Sequence, residues 1–238
     1  MSVGQNIIHD SGIGHVTGES IFIDDRPEVK DEVFVGIKGT PAAAGEVLAI
    51  HTSEALAHPD CLGVWTAKDV GFRKWGPIVH DQPLLVDKVI GYMDEPVCIF
   101  ASKTRESIEV IKNLIKVDVK EVPGIFSIDR ARETQNIIYR SSAPFIQGDP
   151  QAAFANAPHR LQGTFIVDGQ EHFYMESQAA VAYPLEHGQV EIHSSSQHPS
   201  ETQRVVAETL GIQLHQVVCV VKRMGGGFGG KESQAAPI

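Results

Sequence analysis

The sequence predicts a mixed α+β fold, and three observations lead to this prediction. Short segments with strand composition or period-two alternation follow one another between Glu19 and Lys120, separated by turn residues. Ser102–Lys116 carries apolar residues at helical spacing, so one helix is expected to lie across the sheet that those strands form. More strands and a second clear helix follow beyond Arg160. Because 42% of the 238 residues are hydrophobic, the chain is able to bury a sizeable core.

The predicted strands of the first region are short. They are Ser20–Ile23, Val33–Ile37, Val47–Ile50, Leu62–Thr66, Val97–Phe100 and Lys116–Val119. Thr52–Leu56 is predicted as a short helix that begins after a Thr or Ser cap. In the longer helix one face is apolar, and it consists of Ile108, Ile111, Leu114 and Ile115. Residues 1–125 are therefore predicted to form one domain, and the polar, extended residues 126–148 a connector.

Residues 149–238 are predicted to begin a second α+β domain. Asp149 is placed to cap a short helix that has Pro150 at its first position and ends at Asn156–Pro158. Strands are expected at Leu161–Val167, Gln178–Tyr183 and Val190–Ser194. His187–Gly188 separates the last two strands and predicts an antiparallel hairpin.

The clearest helix of the chain is predicted just beyond this hairpin. Ser200 and Gln203 stand three residues apart, as in a capping box, and Gly211 follows the last apolar residue of the helix. Gln197 precedes the helix, so its side-chain amide is expected at the positive end of the helix dipole, able to donate to a bound oxygen. A second capping interaction is the alternative role for Gln197.

A glycine-rich stretch lies near the end of the chain. Met224–Glu232 (MGGGFGGKE) places five glycines around Phe228. Because glycines lose the most backbone entropy when they are ordered, this pattern indicates close approach of the backbone to a ligand. A buried strand is predicted before the loop, at Gln216–Lys222, and a helix is predicted to begin after it, at Glu232–Ala236. Such an arrangement points several amides at one volume, which suits an anionic or electron-rich group.

Two phosphate-binding motifs fit this loop in part. Gly225, Gly227 and Gly230 satisfy G-x-G-x-x-G, but a run of glycines matches many glycine patterns. Gly225, Gly230 and Lys231 satisfy most of a Walker A loop, yet Glu232 stands where a Ser or Thr should hold magnesium. A phosphate- or nucleotide-binding module is therefore one alternative. A plain glycine turn in a structural or assembly module is another.

Charge and cysteine content exclude several classes of protein. The net charge is −10 with scattered Lys and Arg residues, which disfavours nucleic acid and anionic membranes as partners. No basic region followed by an apolar run opens the chain, and this favours a cytoplasmic location. Cys61, Cys98 and Cys219 are far apart and the histidines lack tight ligand spacing, so no direct metal ligand is predicted.

Six segments, in one order and at similar spacing, carry a resemblance to a known family. They are His15–Asp25 (HVTGESIFIDD), Trp75–Pro83 (WGPIVHDQP), Lys116–Pro123, Gly169–Glu176 (GQEHFYME), Ser195–Pro199 (SSQHP) and Arg223–Ser233 (RMGGGFGGKES). Together they resemble the molybdenum-cofactor-binding large subunit of xanthine dehydrogenases, and related aldehyde oxidases and carbon monoxide dehydrogenases share parts of the pattern. The resemblance covers essentially the whole chain. It implies a hammerhead-type mixed α/β domain over 1–125, followed by the beginning of a molybdopterin-binding α+β domain over 149–238.

The resemblance also implies roles for four residues. Gln197 is expected to hydrogen-bond an oxygen ligand of molybdenum, and the backbone of Phe228 and Gly229 to contact the molybdenum centre. Glu232 is expected to bind the substrate. The implied reaction is oxidation of hypoxanthine or xanthine towards urate, in purine catabolism, with oxygen from water and with the redox chemistry supplied by the cofactor. An aldehyde oxidase or another molybdenum hydroxylase is the alternative.

Other parts of the family pattern are expected outside this chain. The catalytic base is expected beyond Ile238, so no catalytic residue is predicted here, and we expect an N-terminal fragment that is inactive by itself. FAD and iron–sulfur clusters are expected on a partner subunit or another region. The implied partners are a purine substrate, that FAD and iron–sulfur subunit or domain, and the remainder of the large subunit, in an oligomer.

Overall fold

The computed structural model describes residues 3–71, 73–76, 78–137 and 145–232. In these ranges, the chain up to Val122 and the chain from His172 onward form one compact unit, and Pro123–Glu171 forms a second. The helices are α1 (Gly12–Thr17), α2 (Ser53–Leu56), α3 (Ala67–Val70), α4 (Ser107–Leu114), α5 (Ile128–Glu133), α6 (Pro150–Asn156) and α7 (Pro199–Leu210). The strands are β1 (Phe34–Gly39), β2 (Gly45–His51), β3 (Cys61–Thr66), β4 (Lys74–Trp75), β5 (Gln82–Pro83), β6 (Val89–Ile90), β7 (Pro96–Ser102), β8 (Lys116–Glu121), β9 (Ala180–Pro184), β10 (Val190–Ser194) and β11 (Val217–Val220).

Two antiparallel sheets and one helix build the core of the first region. β7 is the central strand between β1 and β3, and β2 is the central strand between β6 and β8. Helix α4 packs against β1 and β7, and Phe100 and Ile111 are both fully buried in one apolar cluster. All four residues of the predicted apolar stripe lie in or against this cluster. The helix begins later than predicted, because Ser102 ends β7 and its buried hydroxyl donates to the carbonyl of Thr104 at 2.9 Å.

The burial of α4 leads to a stability prediction. Ile111→Ala is expected to lower the free energy of unfolding by about 2–5 kcal/mol, because it leaves a cavity between the helix and β7. The neighbouring Val110 is 49% exposed, so Val110→Ala is the matched control and is expected to stay within about 0.5 kcal/mol of the parent protein. Chemical denaturation followed by circular dichroism measures both. Equal losses for the two variants would contradict the packing described for α4.

The second region contains a three-stranded sheet in the order β11-β10-β9. β9 and β10 form the predicted antiparallel hairpin around Glu186–Gly188, and β10 runs parallel to β11. α7 connects these parallel strands and packs on β11, where Ala207 and Val217 are buried. Because neighbouring parallel strands end at the same edge of a sheet, the segments that follow β10 and β11 meet there. These segments contain Gln197 and the glycine-rich loop.

Two strand predictions were wrong. Ser20–Ile23 forms no strand; instead the N–H of Ile23 donates to Glu176 Oε1 at 3.4 Å, and Arg223 Nη1 donates to the carbonyl of Ile21 at 2.7 Å. Leu161–Val167 is irregular, and its apolar side chains are exposed. A strand-like sequence alone does not make a strand, since a strand also needs a neighbour with which to form its hydrogen bonds.

The helix predicted after the hairpin exists, but its cap was predicted wrongly. α7 begins at Pro199, and His198 is the cap: its Nδ1 accepts from the N–H of Glu201 at 3.0 Å. Proline suits the first helical position because the N–H that it lacks would have no partner there. Gln203 does not complete a capping box, and its amide donates to the carbonyl of Val217 at 2.7 Å. Gly211 ends the helix as predicted.

The second compact unit contains two short helices. Asp149 caps α6 as predicted, since its Oδ1 accepts from the N–H of Ala152 at 2.9 Å. α5 lies inside the predicted connector and is capped by Ser127, whose hydroxyl accepts from the N–H of Arg130 at 3.2 Å. The proposed domain limits at 125 and 148 stay a prediction. None of the helices in the described ranges combines the length and apolar character that crossing a bilayer requires.

Candidate functional site

The candidate site lies where the loops after β10 and β11 meet. β10 ends at the buried Ser194, and the chain then passes through the buried residues Ser195 and Ser196 to Gln197. After β11 it continues into the glycine-rich loop, residues 224–232, which contains a turn closed by a hydrogen bond from the N–H of Gly230 to the carbonyl of Gly227 at 2.7 Å. The structure therefore brings together Gln197, Phe228 and Gly229, the three residues expected to contact a cofactor.

Gln197 is bonded to the loop at both its backbone and its side chain. Its Oε1 accepts from the N–H of Gly229 at 2.9 Å and from the N–H of Lys231 at 3.2 Å, and its own N–H donates to the carbonyl of Lys231 at 2.8 Å. Two N–H donors on one side-chain atom fix the orientation of the amide, because a flipped amide would set donors against donors. Nε2 is left as a donor without a partner among the described residues.

The glycines are required for close contacts with two protein side chains. A Cβ atom added at Gly227 would lie 2.6 Å from Cδ of Gln197, and one added at Gly225 would lie 2.4 Å from Cβ of Glu176. The sequence predicted close approach of the loop backbone to a ligand. At these two glycines the close neighbours are instead Gln197 and Glu176, so part of the glycine pattern serves to pack the loop on its own site.

Other parts of the loop leave hydrogen-bond donors free. The backbone N–H groups of Gly226, Gly227 and Phe228 have no acceptor among the residues that the structure describes. Gly226 and Phe228 have φ of 99° and 49°, in the left-handed region, and successive amides in such turns form anion-binding concavities. Phe228 is 73% exposed, and a Cβ at Gly229 would meet no atom of the described residues within 4 Å. The loop therefore carries neutral donors, and the space beside Gly229 is open within the described part of the chain.

Glu232 lies at the end of this loop and is exposed. Its N–H donates to the carbonyl of Gly229 at 3.3 Å, and its carboxylate has no hydrogen bond or ion pair within the described part of the chain. The helix predicted at Glu232–Ala236 lies, apart from Glu232 itself, outside the described residues. Glu232 is thus available to a ligand, and its predicted role in substrate binding stays a prediction.

Sequence reasoning missed the most buried charged residues of the site. The side chain of Lys231 is 0% exposed, and its Nζ lies 3.2 Å from Oε2 of Glu176, which is itself almost fully buried. Glu176 belongs to Gly169–Glu176, one of the six segments that carry the family resemblance, but no role was predicted for Glu176 itself. The sequence did contain one signal for this pair, a lysine directly after the glycine run. That lysine was interpreted only as part of a phosphate-binding motif.

The helix beyond Gln197 carries an ion-pair network on its surface. Hydrogen bonds from Arg204 lower the pKa of the Glu201 carboxyl below its ordinary value, and Arg204 also bonds Glu208 at 2.8 Å. A negative carboxylate in the first turn of α7 interacts favourably with the positive end of the helix. Within the described ranges, no three His, Cys, Asp or Glu side chains form a group that is able to hold a metal ion.

Comparison with known families separates the chain into two parts. The model described as "Aldehyde oxidase and xanthine dehydrogenase, a/b hammerhead domain" matches residues 17–123. The model described as "Molybdopterin cofactor-binding domain" matches residues 130–238. The two matches follow one another along the chain, and they confirm the predicted α+β class, with a hammerhead domain followed by the beginning of a molybdopterin-binding domain.

Individual proteins give the same result. The chain is 36% identical to xanthine dehydrogenase of Calliphora vicina and 33% identical to aldehyde oxidase 2 of Cavia porcellus, in each case over 99% of its length. It spans only 18% of the length of either relative. Quinoline 2-oxidoreductase from Pseudomonas putida 86 shares the fold, with a TM-score of 0.83 at 24% identity over 99% of this chain and 32% of that one. The chain belongs to the molybdenum hydroxylase family of aldehyde oxidases and xanthine dehydrogenases.

Proposed function

We propose that this chain forms one wall of the molybdenum site in an enzyme that oxidises hypoxanthine and xanthine towards urate. The observation that carries the proposal is a set of free donors at one edge of a sheet. They are the side-chain amide of Gln197, held in one orientation by two hydrogen bonds, and the backbone N–H groups of Gly226, Gly227 and Phe228, for which the described residues supply no acceptor.

This donor set fits the molybdenum–molybdopterin group that the family binds. Neutral N–H groups suit a group that presents anionic or electron-rich atoms, and the open space beside Gly229 leaves room for it. Glu176 is a buried acid that contacts the loop, and its carboxylate is paired with the ammonium group of Lys231. The paired carboxylate would therefore not repel an anionic group bound at the loop. When bound, the cofactor would supply the two-electron oxidation, and the protein would supply binding, orientation and exclusion of water.

Each predicted site residue has a role that its surroundings support. Gln197 would donate through Nε2 to the bound group and fix its orientation, while Phe228 and Gly229 would contact it through the backbone. The exposed carboxylate of Glu232 would accept a hydrogen bond from a ring N–H of the purine and so orient the ring. These roles place binding and orientation in this chain. Chemistry at the substrate carbon is assigned to the cofactor.

A phosphate-binding function is disfavoured by the position of one side chain. A Walker A loop needs a lysine whose ammonium reaches the phosphates. Here the Lys231 side chain is fully buried and its Nζ is paired with Glu176.

A second candidate, an aldehyde-oxidising enzyme, is favoured by the 33% identity to an aldehyde oxidase over nearly the whole chain. The roles of Gln197 and the loop are the same in both candidates, and only the substrate contact at Glu232 separates them.

The remaining partners follow from the family assignment and are proposals as well. FAD and iron–sulfur clusters, which would accept the electrons, are proposed to lie on a partner subunit or another region, since Cys61, Cys98 and Cys219 are too far apart in sequence to form a cluster motif. We further propose a cytoplasmic oligomer in which this chain joins the remainder of the large subunit.

Metal analysis of a complete enzyme that carries this chain tests the proposal. We expect stoichiometric molybdenum together with organic phosphate from the pterin, and transfer of oxygen from ¹⁸O-labelled water into urate. The measurements are elemental analysis of the purified enzyme and mass spectrometry of the product, with protein prepared from tungsten-grown cells as the matched control. Bound nucleotide without molybdenum would support the phosphate-binding alternative and contradict the proposal.

A further inference from the structure

We propose that Glu176 and Lys231 are positioning residues that hold the amide of Gln197 in its donating orientation. The inference rests on the proposed function of Gln197. It goes beyond that function because it assigns the orientation of Gln197 to a buried ion pair whose side chains do not themselves contact the amide. Three observations carry it: the burial of the pair, the bonds between Lys231 and Gln197, and the bonds that Glu176 makes to the loop.

The ion pair is enclosed by protein. Lys231 is 0% exposed, and its Nζ lies 3.2 Å from Glu176 Oε2 and 4.8 Å from the centroid of the Tyr174 ring, so its charge meets a carboxylate and an aromatic face. A buried ion pair is stable only when the two charged groups are well oriented towards each other and their remaining hydrogen-bonding groups have partners. Removing one of the two leaves the other charge buried without compensation. The side chain of Lys231 is therefore fixed in place more strongly than a surface lysine.

The backbone of the same lysine holds Gln197. The N–H of Lys231 donates to Gln197 Oε1 at 3.2 Å, and the carbonyl of Lys231 accepts from the N–H of Gln197 at 2.8 Å and from the hydroxyl of Ser196 at 3.5 Å. A movement of the Lys231 backbone would therefore change the orientation of the Gln197 amide. Anchoring the side chain of Lys231 prevents that movement.

Glu176 binds both ends of the run Gly225–Lys231 inside the glycine-rich loop. Its Oε2 accepts from the N–H of Gly225 at 2.9 Å as well as from Lys231 Nζ, and its own N–H donates to the carbonyl of Gly225 at 3.2 Å. The first and last residues of the run Gly225–Lys231 are thus bound to one carboxylate. Closing a glycine-rich segment at both ends lowers the entropy that is lost when a ligand orders its middle. The free amides of the loop lie between these two anchors.

Hydrogen exchange in a complete enzyme stripped of its cofactor tests this positioning role without any activity assay. Lys231→Met is expected to accelerate exchange of the Gly229 amide, which is bonded to Gln197, by about 100-fold, while the amide of Ile192 in strand β10 keeps its rate. Arg204→Met, which breaks a partly buried ion-pair network on α7, is the control and is expected to leave exchange at Gly229 unchanged. Should Lys231→Met fail to fold, Glu176→Gln keeps the shape of the acid and is expected to accelerate exchange at Gly225 and Gly229 in the same way.

The outcomes separate a positioning role from a structural one. Unchanged exchange at Gly229, or acceleration there only in step with Ile192, overturns the inference, since the pair would then stabilise the fold as a whole. In the loaded enzyme, the positioning role predicts a kcat at least about tenfold lower with KM within about threefold. If Gly229 exchange rises locally and kcat is unaffected, the positioning of the amide stands and the proposed role of Gln197 in the reaction fails.

Discussion

Gln197→Ala in a complete enzyme is expected to lower kcat by about 100- to 1,000-fold, or roughly 2.7–4 kcal/mol, with a much smaller change in KM. A donor that is held in place before the reaction acts mainly on the charge that develops in the transition state, so its loss slows the chemical step more than it weakens substrate binding. Steady-state kinetics, normalised to the molybdenum content of each preparation, measures the effect.

The structure adds a second function of Gln197 that this experiment must separate from the first. Oε1 binds the N–H groups of Gly229 and Lys231, so an alanine removes bonds within the loop as well as the donor. Gln197→Glu is the matched variant, because a carboxylate keeps the acceptor for both N–H groups and lacks the amide donor. We expect the same loss of kcat in both variants with molybdenum retained in Gln197→Glu. Full kcat in Gln197→Glu would assign Gln197 to holding the loop alone.

The parts of the fold that the sequence predicted are those determined by local chemistry. The apolar stripe around Ile111 predicted a helix on a sheet, and Asp149 before Pro150 predicted a capped helix start. Each of these signals consists of residues that lie close to one another in the sequence. Gly211 predicted a helix end for the same reason. In contrast, the β-rich composition of Leu161–Val167 predicted a strand for which the described chain supplies no neighbouring strand.

The sequence predicted which residues form the outline of the candidate site, but it did not predict the buried ion pair that supports them. Gln197, Phe228 and Gly229 come together as the motif positions implied, at the edge where β10 and β11 end. The pairing of Glu176 with Lys231 joins residues 55 positions apart, and neither periodicity nor spacing within one segment indicates such a contact. Lysine side chains are rarely buried, so the sequence gives no reason to expect one here. The burial of Lys231 is seen only from the residues that surround its side chain in the structure. Sequence motifs thus identified residues that lie together at one edge of the sheet, and the structure identified the buried ion pair bonded to the same loop.

Glu232→Val in a complete enzyme is expected to depress kcat/KM for xanthine or hypoxanthine by at least about tenfold, roughly 1.4 kcal/mol, while aldehyde oxidation holds steady or improves. An oxypurine presents ring N–H groups that a carboxylate is able to accept from, whereas an aldehyde offers no such donor. An unpaired carboxylate beside an apolar substrate loses hydration without compensation, so an apolar residue at this position favours the aldehyde. The carboxylate of Glu232 is exposed and has no partner among the residues that the structure describes, which leaves it available for this contact.

The control for this prediction is Glu232→Gln, which keeps the size of the side chain and one acceptor oxygen but removes the charge. If Glu232 binds the purine, the glutamine variant should lie between the parent enzyme and Glu232→Val on xanthine, and all three should remain similar on an aldehyde. Initial rates on both substrates, measured on the same preparations, provide the comparison. The N–H of Glu232 also closes the turn to Gly229 at 3.3 Å, so the residue has a position in the loop that its side chain does not determine. An equal loss of kcat/KM on both substrates would therefore show that the side chain stabilises the loop and does not bind the purine.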